Sequence, residues 1–307
     1  MPRLLFFFLI VSCCSCEQAF NPEVSTDPPE VVVEGYIEGG ERPLPPYVIL
    51  TRSVPFFSQI NAQGLNNLFV HDAEVNVSDG DQTVELAELC LSELTPGQRL
   101  IASELLGVDL TDFAIDICIY TDTTFSMFGE IGKTYTLEIE VGDKLLHAVT
   151  SIPTHVPLDS LRFYETEGEP IDTLAELRVF LSDPEDEANF YRYFTRTNDK
   201  AFKSPFTSVV DDRLFNGLEF EFPLPNAEVD PEGIRPSTYG LFRVGDTVTV
   251  RWTNLDRPHF EFWNTLEFNS ANQGPFSSYT RIQSNVDGGL GVWGGYSATY
   301  YEMIVEK

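Results

Sequence analysis

The chain has 307 residues and a formal net charge of −29, from 48 acidic and 19 basic side chains. Its residues are 42% hydrophobic and 13% aromatic, enough to bury one large core or two ordinary ones, and we expect two domains. The dispersed negative charge repels phosphate backbones, and no Lys/Arg cluster offsets it, which argues against a nucleic acid partner.

The first residues have the pattern of an export signal. Arg3 precedes the apolar run LLFFFLIV, which is too short to span a bilayer, and SCCSC follows it. Bacterial lipoprotein processing requires a small residue directly before the cysteine that is acylated. We predict lipidation at Cys16, with Cys13 as the alternative; an ordinary cleaved signal with incidental cysteines is the third reading. The signal would cover 1–15 and the tether 16–29, so that lipid holds the chain on a membrane.

The N-terminal half is rich in short alternating segments. Strands are predicted over residues 31–37, 73–80, 82–86, 135–141 and 145–152. Tight hairpin turns are expected at Asp79 and Gly142. This spacing predicts an all-β, mainly antiparallel protein whose first domain, 30–153, is an immunoglobulin-like sandwich. The course of residues 89–122 stays open.

Two cysteines lie in the mature body. Cys90 and Cys118 both occur in apolar stretches, and an extracytoplasmic compartment permits oxidation. They form either a disulfide or two buried free thiols that behave as small hydrophobes.

A proline-containing segment separates the two halves. Pro153 and Pro157 favour an extended linker over 154–160, followed by a β-rich domain over 161–307. Strands are predicted there over 176–183, 190–199, 218–224 and 246–255, with a hairpin turn at Asn216-Gly217.

One stretch of the second half has helical spacing. Asp256 is a suitable N-cap, Pro258 suits the first turn, and Phe260, Trp263 and Leu266 recur on one face. We expect the only substantial helix here, with its aromatic stripe packed on the sheet.

Five glycines surround a tryptophan near the C-terminus. Gly288, Gly289, Gly291, Gly294 and Gly295 flank Trp293, and Tyr296 follows. A phosphate loop would need a following helix, whereas an alternating strand follows here. Two readings stay open. Either the glycines let the backbone approach large side chains, with Trp293 and Tyr296 against the helix that carries Trp263, or the rings form an exposed ledge for a sugar or partner.

No catalytic motif is present in the sequence. His71, His147, His155 and His259 lack metal-ligand spacing, and neither GxSxG nor HExxH occurs. We therefore predict no enzyme activity and no cofactor. A weak calcium candidate is the turn with Asp183, Glu185 and Asp186, for which a solvated acidic turn is the alternative.

Several segments in order carry a family resemblance: a lipobox ending in Cys-Glu, VVVEGYI, GEIGKTYTLEIEV, IPTHVPLDSL, DDRLFNGLEF, FEFWNTLEF, GPFSS and SNVDGGLGVWGGYS. Over nearly its full length the chain resembles the Bacteroidota outer-membrane lipoproteins grouped as domain of unknown function 4249. The resemblance implies a lipid-anchored protein at the outer membrane, beside TonB-dependent receptors that import nutrients.

These observations predict a non-enzymatic envelope lipoprotein that works with an outer-membrane receptor, binding either the barrel or a glycan or peptide cargo. The alternative is a free-standing surface module for glycan binding or adhesion.

Overall fold

The computed structural model describes residues 28–55, 58, 60–106, 110, 115–166, 172–228, 237–271 and 281–306. The lipidation candidates Cys13 and Cys16 lie outside these residues. Strands make up 45% and helices 12% of the structure, which confirms the predicted mainly antiparallel β class. The strands are β1 (Val31–Gly40), β2 (Tyr47–Arg52), β3 (Glu74–Ser78), β4 (Thr83–Cys90), β5 (Cys118–Thr121), β6 (Thr134–Val141), β7 (Lys144–Ser151), β8 (Ser160–Tyr164), β9 (Leu174–Ser182), β10 (Phe190–Thr197), β11 (Val209–Asp211), β12 (Glu219–Pro223), β13 (Phe242–Arg243), β14 (Thr247–Leu255), β15 (Val286–Asp287) and β16 (Leu290–Ile304). The helices are α1 (Ala62–Asn66), α2 (Pro96–Leu106) and α3 (Arg257–Ala271), with a 3₁₀ turn at Leu91–Glu93.

One long sheet runs through both halves of the chain. Its twelve strands follow the order β11-β10-β14-β16-β1-β2-β5-β4-β3-β6-β7-β15. A second sheet has the order β12-β9-β13, with β8 also paired to β9. β1 and β16 run parallel, with Val32 opposite Leu290 and Gly40 opposite Ala298. This pairing places a strand from the start of the described chain beside a strand from its end.

Two hydrophobic clusters form the main cores. In the first, β1 and β2 pack against β3, β6 and β7, with Val33, Leu50, Val77 and Ile139 almost fully buried. In the second, β10 and β14 pack against β9 of the smaller sheet, around Trp252. Burial of these apolar side chains is the main favourable contribution to folding, and it holds each part of the long sheet against its covering strands.

Local turn chemistry explains two of the predicted hairpins. Asp79 Oδ1 accepts a hydrogen bond from the Gln82 backbone N–H at 2.9 Å in the β3–β4 turn. Gly142 has a φ of +62° in the β6–β7 turn, a conformation that glycine adopts without steric cost. Both predictions are confirmed by the pairing of the flanking strands.

Two other predictions are wrong. The turn at Asn216-Gly217 does not close a hairpin, because it joins β11, which pairs with β10, to β12, which pairs with β9 of the other sheet. α3 is not the only substantial helix, since the eleven-residue α2 occupies part of the segment whose course stayed open. The strands that the turn connects are not encoded locally, because they depend on which distant strand offers a pairing edge. The start of α2 does carry a local signal, the capping box formed by Thr95 and Gln98, which the sequence prediction missed.

The proline linker is tightly held between the two halves. No strand is assigned from 152 to 159, and β8 begins at Ser160, within the segment 154–160 that was predicted as the linker. The backbone N–H of Val156 donates to Asn254 Oδ1 at 3.1 Å, and the indole N–H of Trp252 donates to the carbonyl of Val156 at 3.0 Å. The division into domains at 153 and 161 stays a prediction, and β16 contributes to the cores on both sides of it.

The glycines of β16 allow close backbone approach. Gly291 has a φ of +113°, and a Cβ there would lie 1.8 Å from the carbonyl oxygen of Val33 on β1. Trp293 is fully buried in the first cluster, where its ring covers Gly35 and its indole N–H donates to the Tyr135 carbonyl at 3.1 Å. Gly291 therefore has the predicted packing role, because a side chain there would collide with the backbone of β1.

The expectation that Trp293 packs against the helix is wrong. Trp293 and Tyr296 are three residues apart on one strand, so their side chains point to opposite faces of the sheet. Trp293 enters the first cluster, whereas Tyr296 packs with Trp263 of α3. The reading of Trp293 as an exposed ledge is wrong for the same reason, since its exposed fraction is 0%.

Replacing Trp293 by alanine should lower the free energy of unfolding by about 3–5 kcal/mol, because the change leaves a cavity in the first cluster. Gly291→Ala should also destabilise strongly, because its Cβ would overlap the Val33 carbonyl. Phe206→Ala is the control, since this aromatic side chain is 64% exposed and its loss should change stability by about 0.5 kcal/mol or less. Urea unfolding measures all three, and a Trp293→Ala variant as stable as Phe206→Ala would contradict the buried position.

Candidate functional site

A cavity of about 390 Å³ lies between the long sheet and α3. We call it the α3 pocket. Its walls come from β1, β2, β10, β14, β16 and α3, with further residues from the segment that follows β10. Lys203 is the only exposed residue of the lining and marks the mouth of the pocket. Its polar and aromatic side chains include Glu34, Tyr36, Arg192, Phe194, Phe202, Lys203, Arg251, His259, Trp263 and Tyr296.

Strand alternation builds the floor of the pocket. On β1, Glu34 and Tyr36 face the pocket, while Val33 and Ile37 belong to the first hydrophobic cluster. On β14, Arg251 likewise lines the pocket beside Trp252, which belongs to the second cluster. Successive side chains of a strand point to opposite faces, so the sheet has apolar cores on one face and this polar floor on the other.

α3 lies close to this floor because of its cap and one glycine. Asp256 Oδ1 accepts the His259 backbone N–H at 3.0 Å as the helix N-cap, and Oδ2 accepts from Thr150 Oγ1 at 2.6 Å. The helix and its cap were predicted and are confirmed. A Cβ on Gly294 would lie 2.6 Å from Cγ of His259, so only glycine allows the imidazole to rest on β16.

The two arginines of the floor differ in their partners. Arg192 Nε donates to Ser208 Oγ at 2.8 Å, and its Nη2 lies 4.0 Å from a carboxylate oxygen of Glu267 on α3. Its guanidinium lies 3.7 Å from the centre of the Trp263 ring. These contacts tie α3 to β10 and use the polar edge of Arg192.

Arg251 is held mainly by aromatic faces. Its guanidinium lies 4.0 Å from the ring centre of Phe194 and 5.0 Å from that of Phe202. Its Nε is buried and has no hydrogen-bond partner. Burial acts to lower the pKa of Arg251, and its electrostatic interactions with Tyr296, Tyr300 and Glu38 outweigh this effect and raise it.

Burial shifts the pKa of Glu34 and of the phenolic groups upward. Burial raises the pKa of Glu34, which accepts a hydrogen bond from the Tyr36 hydroxyl at 3.1 Å. Burial also raises the pKa of Tyr36 and Tyr296 well above the ordinary value. Glu38, beside the pocket, accepts from Tyr296 Oη and Tyr300 Oη at 2.9 Å each. The phenols therefore stay protonated and act as hydrogen-bond donors.

His259 is neutral at physiological pH. Burial lowers its pKa to about 3. Its Nδ1 faces the Gly295 carbonyl at 3.3 Å, which assigns the proton to Nδ1 because a carbonyl can only accept. Its Nε2 is then an acceptor, and it has no partner. Together with the indole N–H of Trp263, which also lacks a partner, the lining keeps unused hydrogen-bonding capacity.

This arrangement is suited to holding a ligand. Cavities of about 300–1,000 Å³ with aromatic walls and a few placed polar groups are the usual sites for small molecules. His259 and the tyrosines do not change protonation near neutral pH, which makes them poor acids and bases but stable hydrogen-bonding partners. Tyr296 was predicted to pack against the helix that carries Trp263, and both residues line the pocket.

The cysteines form a cross-strand pair. Cys90 on β4 lies opposite Cys118 on β5, and the structure joins them in a disulfide. Within the part of the chain that the structure describes, the one group with ligand atoms close enough to hold a metal is His71, Glu88, Cys90 and Cys118, all within 4.8 Å of one another. The two sulfurs are bonded to each other, and His71 Nδ1 pairs with Glu88 at 2.5 Å, so these atoms are used by protein contacts.

The calcium candidate is not assembled as a group. Asp183 accepts hydrogen bonds from the Tyr191 hydroxyl and from the Gly217 backbone N–H, and it is buried. Glu185 and Asp186 are exposed, and the three do not form a metal-ligand group among the described residues. Asp183 instead fixes the turn that leads into β12.

Sequence reasoning missed most of the pocket. Arg192 and Phe194 lie on the same face of β10. A charged residue on one face of an alternating strand normally indicates that this face is exposed to solvent. Glu34 on β1 gives the same impression. The available signal was that aromatic side chains accompany the charges on these faces, which is unusual for a solvated face. Only the position of α3 over the sheet turns these residues into an interior site.

The structure thus defines a mainly antiparallel β protein with a ligand-sized pocket between its long sheet and a C-terminal helix. The model of the family described as Domain of unknown function (DUF4249) matches residues 17–302, and the chain belongs to this family. Comparison with curated proteins and with solved structures finds no match. Within the described residues, none of the helices has the length and apolar character needed to cross a membrane.

Asp256 and His259 give folding stability opposite dependences on pH. Burial lowers the pKa of His259 from 6.5 to about 3, so the unfolded chain binds more protons between these values and stability rises with pH. Burial raises the pKa of Asp256 from 3.8 to about 6, so the folded protein binds more protons there and stability falls as pH rises.

Relative to the wild type, Asp256→Asn should therefore gain stability as pH rises from about 4 to 6, since it loses the falling contribution. His259→Asn should lose stability relative to the wild type over the same interval, since it loses the rising one. Urea unfolding across this pH range measures both differences. If the stability of both variants changes with pH in parallel with that of the wild type, neither group titrates with the shifted pKa.

Proposed function

We propose that this protein is a non-enzymatic lipoprotein of the cell envelope that holds a small ligand in the α3 pocket. The observation that carries the proposal is a cavity of about 390 Å³ whose lining retains unpartnered polar atoms on Arg251, His259 and Trp263. Buried polar atoms without partners cost free energy, commonly about 1–3 kcal/mol each, and a bound ligand would satisfy them.

The cellular setting is proposed from the sequence. A lipid on Cys16, or on Cys13, would anchor the chain at the outer membrane, and the tether to Glu30 would leave the folded part in water. The family resemblance supports a TonB-dependent receptor as the partner. In this proposal the pocket presents or receives the cargo that the receptor imports.

Binding without chemistry is supported by the groups in the pocket. A general base works best with a pKa near the operating pH, whereas that of His259 is about 3. The cationic groups are guanidiniums and an exposed ammonium, which bind anions and do not act as nucleophiles in their charged forms.

Filling the pocket tests this function. Ala227 is buried and lines the pocket, so Ala227→Phe should occupy the ligand's volume. Ala87→Phe on the exposed side of β4 is the matched control. We expect wild type and Ala87→Phe, purified in detergent from their native cell envelope, to carry the same small molecule in native mass spectrometry, and Ala227→Phe to carry none. An identical bound mass in Ala227→Phe, or no bound mass in the wild type, would contradict the proposal.

Loss of the acylated thiol tests the anchor. Cys16→Ala should abolish incorporation of a labelled fatty acid and release the protein from the membrane fraction, because acylation requires that sulfur. Cys13→Ala is the matched control and should remain labelled. The reverse pattern would assign the anchor to Cys13, and labelling of neither wild type nor variants would exclude lipidation.

A further inference from the structure

This inference rests on the proposed function and concerns the chemistry of the ligand. The lining of the α3 pocket contains three cationic side chains, Arg192, Lys203 and Arg251, and one carboxyl group, Glu34. The whole chain has a net charge of −29. Glu38 and Glu267 lie just outside this lining, so three carboxyl groups and three cationic groups meet here on a chain that is otherwise strongly acidic. An anionic ligand is favoured where one of these cationic groups faces the cavity with an unpartnered donor.

The hydrogen-bonding edges of the two arginines are not equally available. A guanidinium that stacks on an aromatic ring uses its face and keeps its in-plane N–H groups for hydrogen bonds. Arg192 stacks on Trp263, and its edge is engaged by Ser208 and approached by Glu267. That arginine is a structural tie between β10 and α3.

Arg251 has the same stacked arrangement, and part of its edge hydrogen-bonds with the Tyr300 side chain. Phe194 and Phe202 cover its face at 4.0 Å and 5.0 Å. Its Nε–H has no partner, although the residue is only 6% exposed. Fixing a planar donor group between rings removes much of its rotational freedom before binding, which favours recognition of a carboxylate.

The remaining residues of the lining indicate the chemical character and the size of the rest of the ligand. The aromatic rings of Tyr36, Trp263 and Tyr296 line the pocket together with Leu255, which favours a ligand with an apolar or aromatic body. Lys203 at the mouth adds a solvent-exposed positive charge on the entry path. The volume of about 390 Å³ is near the lower end of the usual range for ligand sites, about 300–1,000 Å³.

We propose that the α3 pocket binds a small organic carboxylate with an apolar body, and that Arg251 is the residue that recognises its carboxylate. Lys203 increases the local concentration of the anion at the mouth, and Arg192 keeps α3 in place.

Tryptophan indole resonances report on this binding directly. The described residues include Trp252, Trp263 and Trp293, of which the first and last donate their indole N–H to the carbonyls of Val156 and Tyr135 and lie in the cores. Trp263 lines the pocket. The probes are phenylpropanoate, phenylbutanoate and indolepropanoate, each compared with its primary amide of nearly the same shape. Trp263→Phe assigns the resonance.

We expect each acid to shift the Trp263 indole resonance saturably and to leave Trp252 and Trp293 unchanged. The amides should bind at least about tenfold more weakly than the acids, because they lack the charge-assisted bond to Arg251. Arg251→Gln should bring acid and amide to the same affinity. Arg257→Gln, an exposed arginine that stacks on Phe190 outside the pocket, is the matched control and should keep the preference.

The outcomes separate the two proposals. Equal shifts by acid and amide in the wild type would overturn the carboxylate inference and leave the ligand-binding function standing. Failure of every acid to shift Trp263 would also overturn the inference, while native mass spectrometry of the pocket-filling variant decides the function independently. If Arg251→Gln does not fold, the acid–amide comparison in the wild type still decides, and Lys203→Gln should weaken acid binding at low salt alone.

Discussion

The parallel pairing of β1 with β16 is the constraint on which the rest of the structure depends. It joins the two ends of the described chain, and its two faces serve different purposes. On one face Trp293 fills the first hydrophobic cluster. On the other, Glu34, Tyr36 and Tyr296 form part of the pocket floor. The close approach at Gly291 that permits this pairing therefore supports a core and a site at once.

On an exposed sheet, the charged side chains of this face would be solvated by water. Because α3 covers the face, these side chains are buried and need protein partners. Burying charged groups is costly unless they are paired, stacked or hydrogen-bonded. Arg192 meets these demands through Ser208, next to the edge strand β11, and through Trp263 and the nearby Glu267 on the covering helix α3. Arg251 is stacked but keeps an unpartnered nitrogen. Arg192 therefore has a structural role, and Arg251 is the residue that we propose for ligand binding in the same cavity.

Local sequence patterns predicted well those strands and helices whose formation depends on residues close in sequence. Alternation predicted β6, β7, β9, β10 and β14, and capping chemistry at Asp256 predicted α3. The turn at Asn216-Gly217 was misread because its φ preference specifies a turn without specifying which strands it connects. Trp293 was placed on the wrong face because its distance to the helix depends on the pleat and register of β16, which no neighbouring residue reveals.

The sequence by itself determined the all-β class, the helix at α3, the family of the chain and the need for glycine in the segment around Trp293. The class, the helix and the glycines follow from short-range periodicity, capping and backbone freedom, each of which depends on residues close in sequence. The family follows from segments that occur in order along nearly the whole chain. Only the tertiary structure decided that β1 and β16 pair and that α3 covers them. The charges on β1, β10 and β14 became a pocket because residues more than a hundred positions apart share one sheet face, and long-range proximity has no local signature in a single sequence.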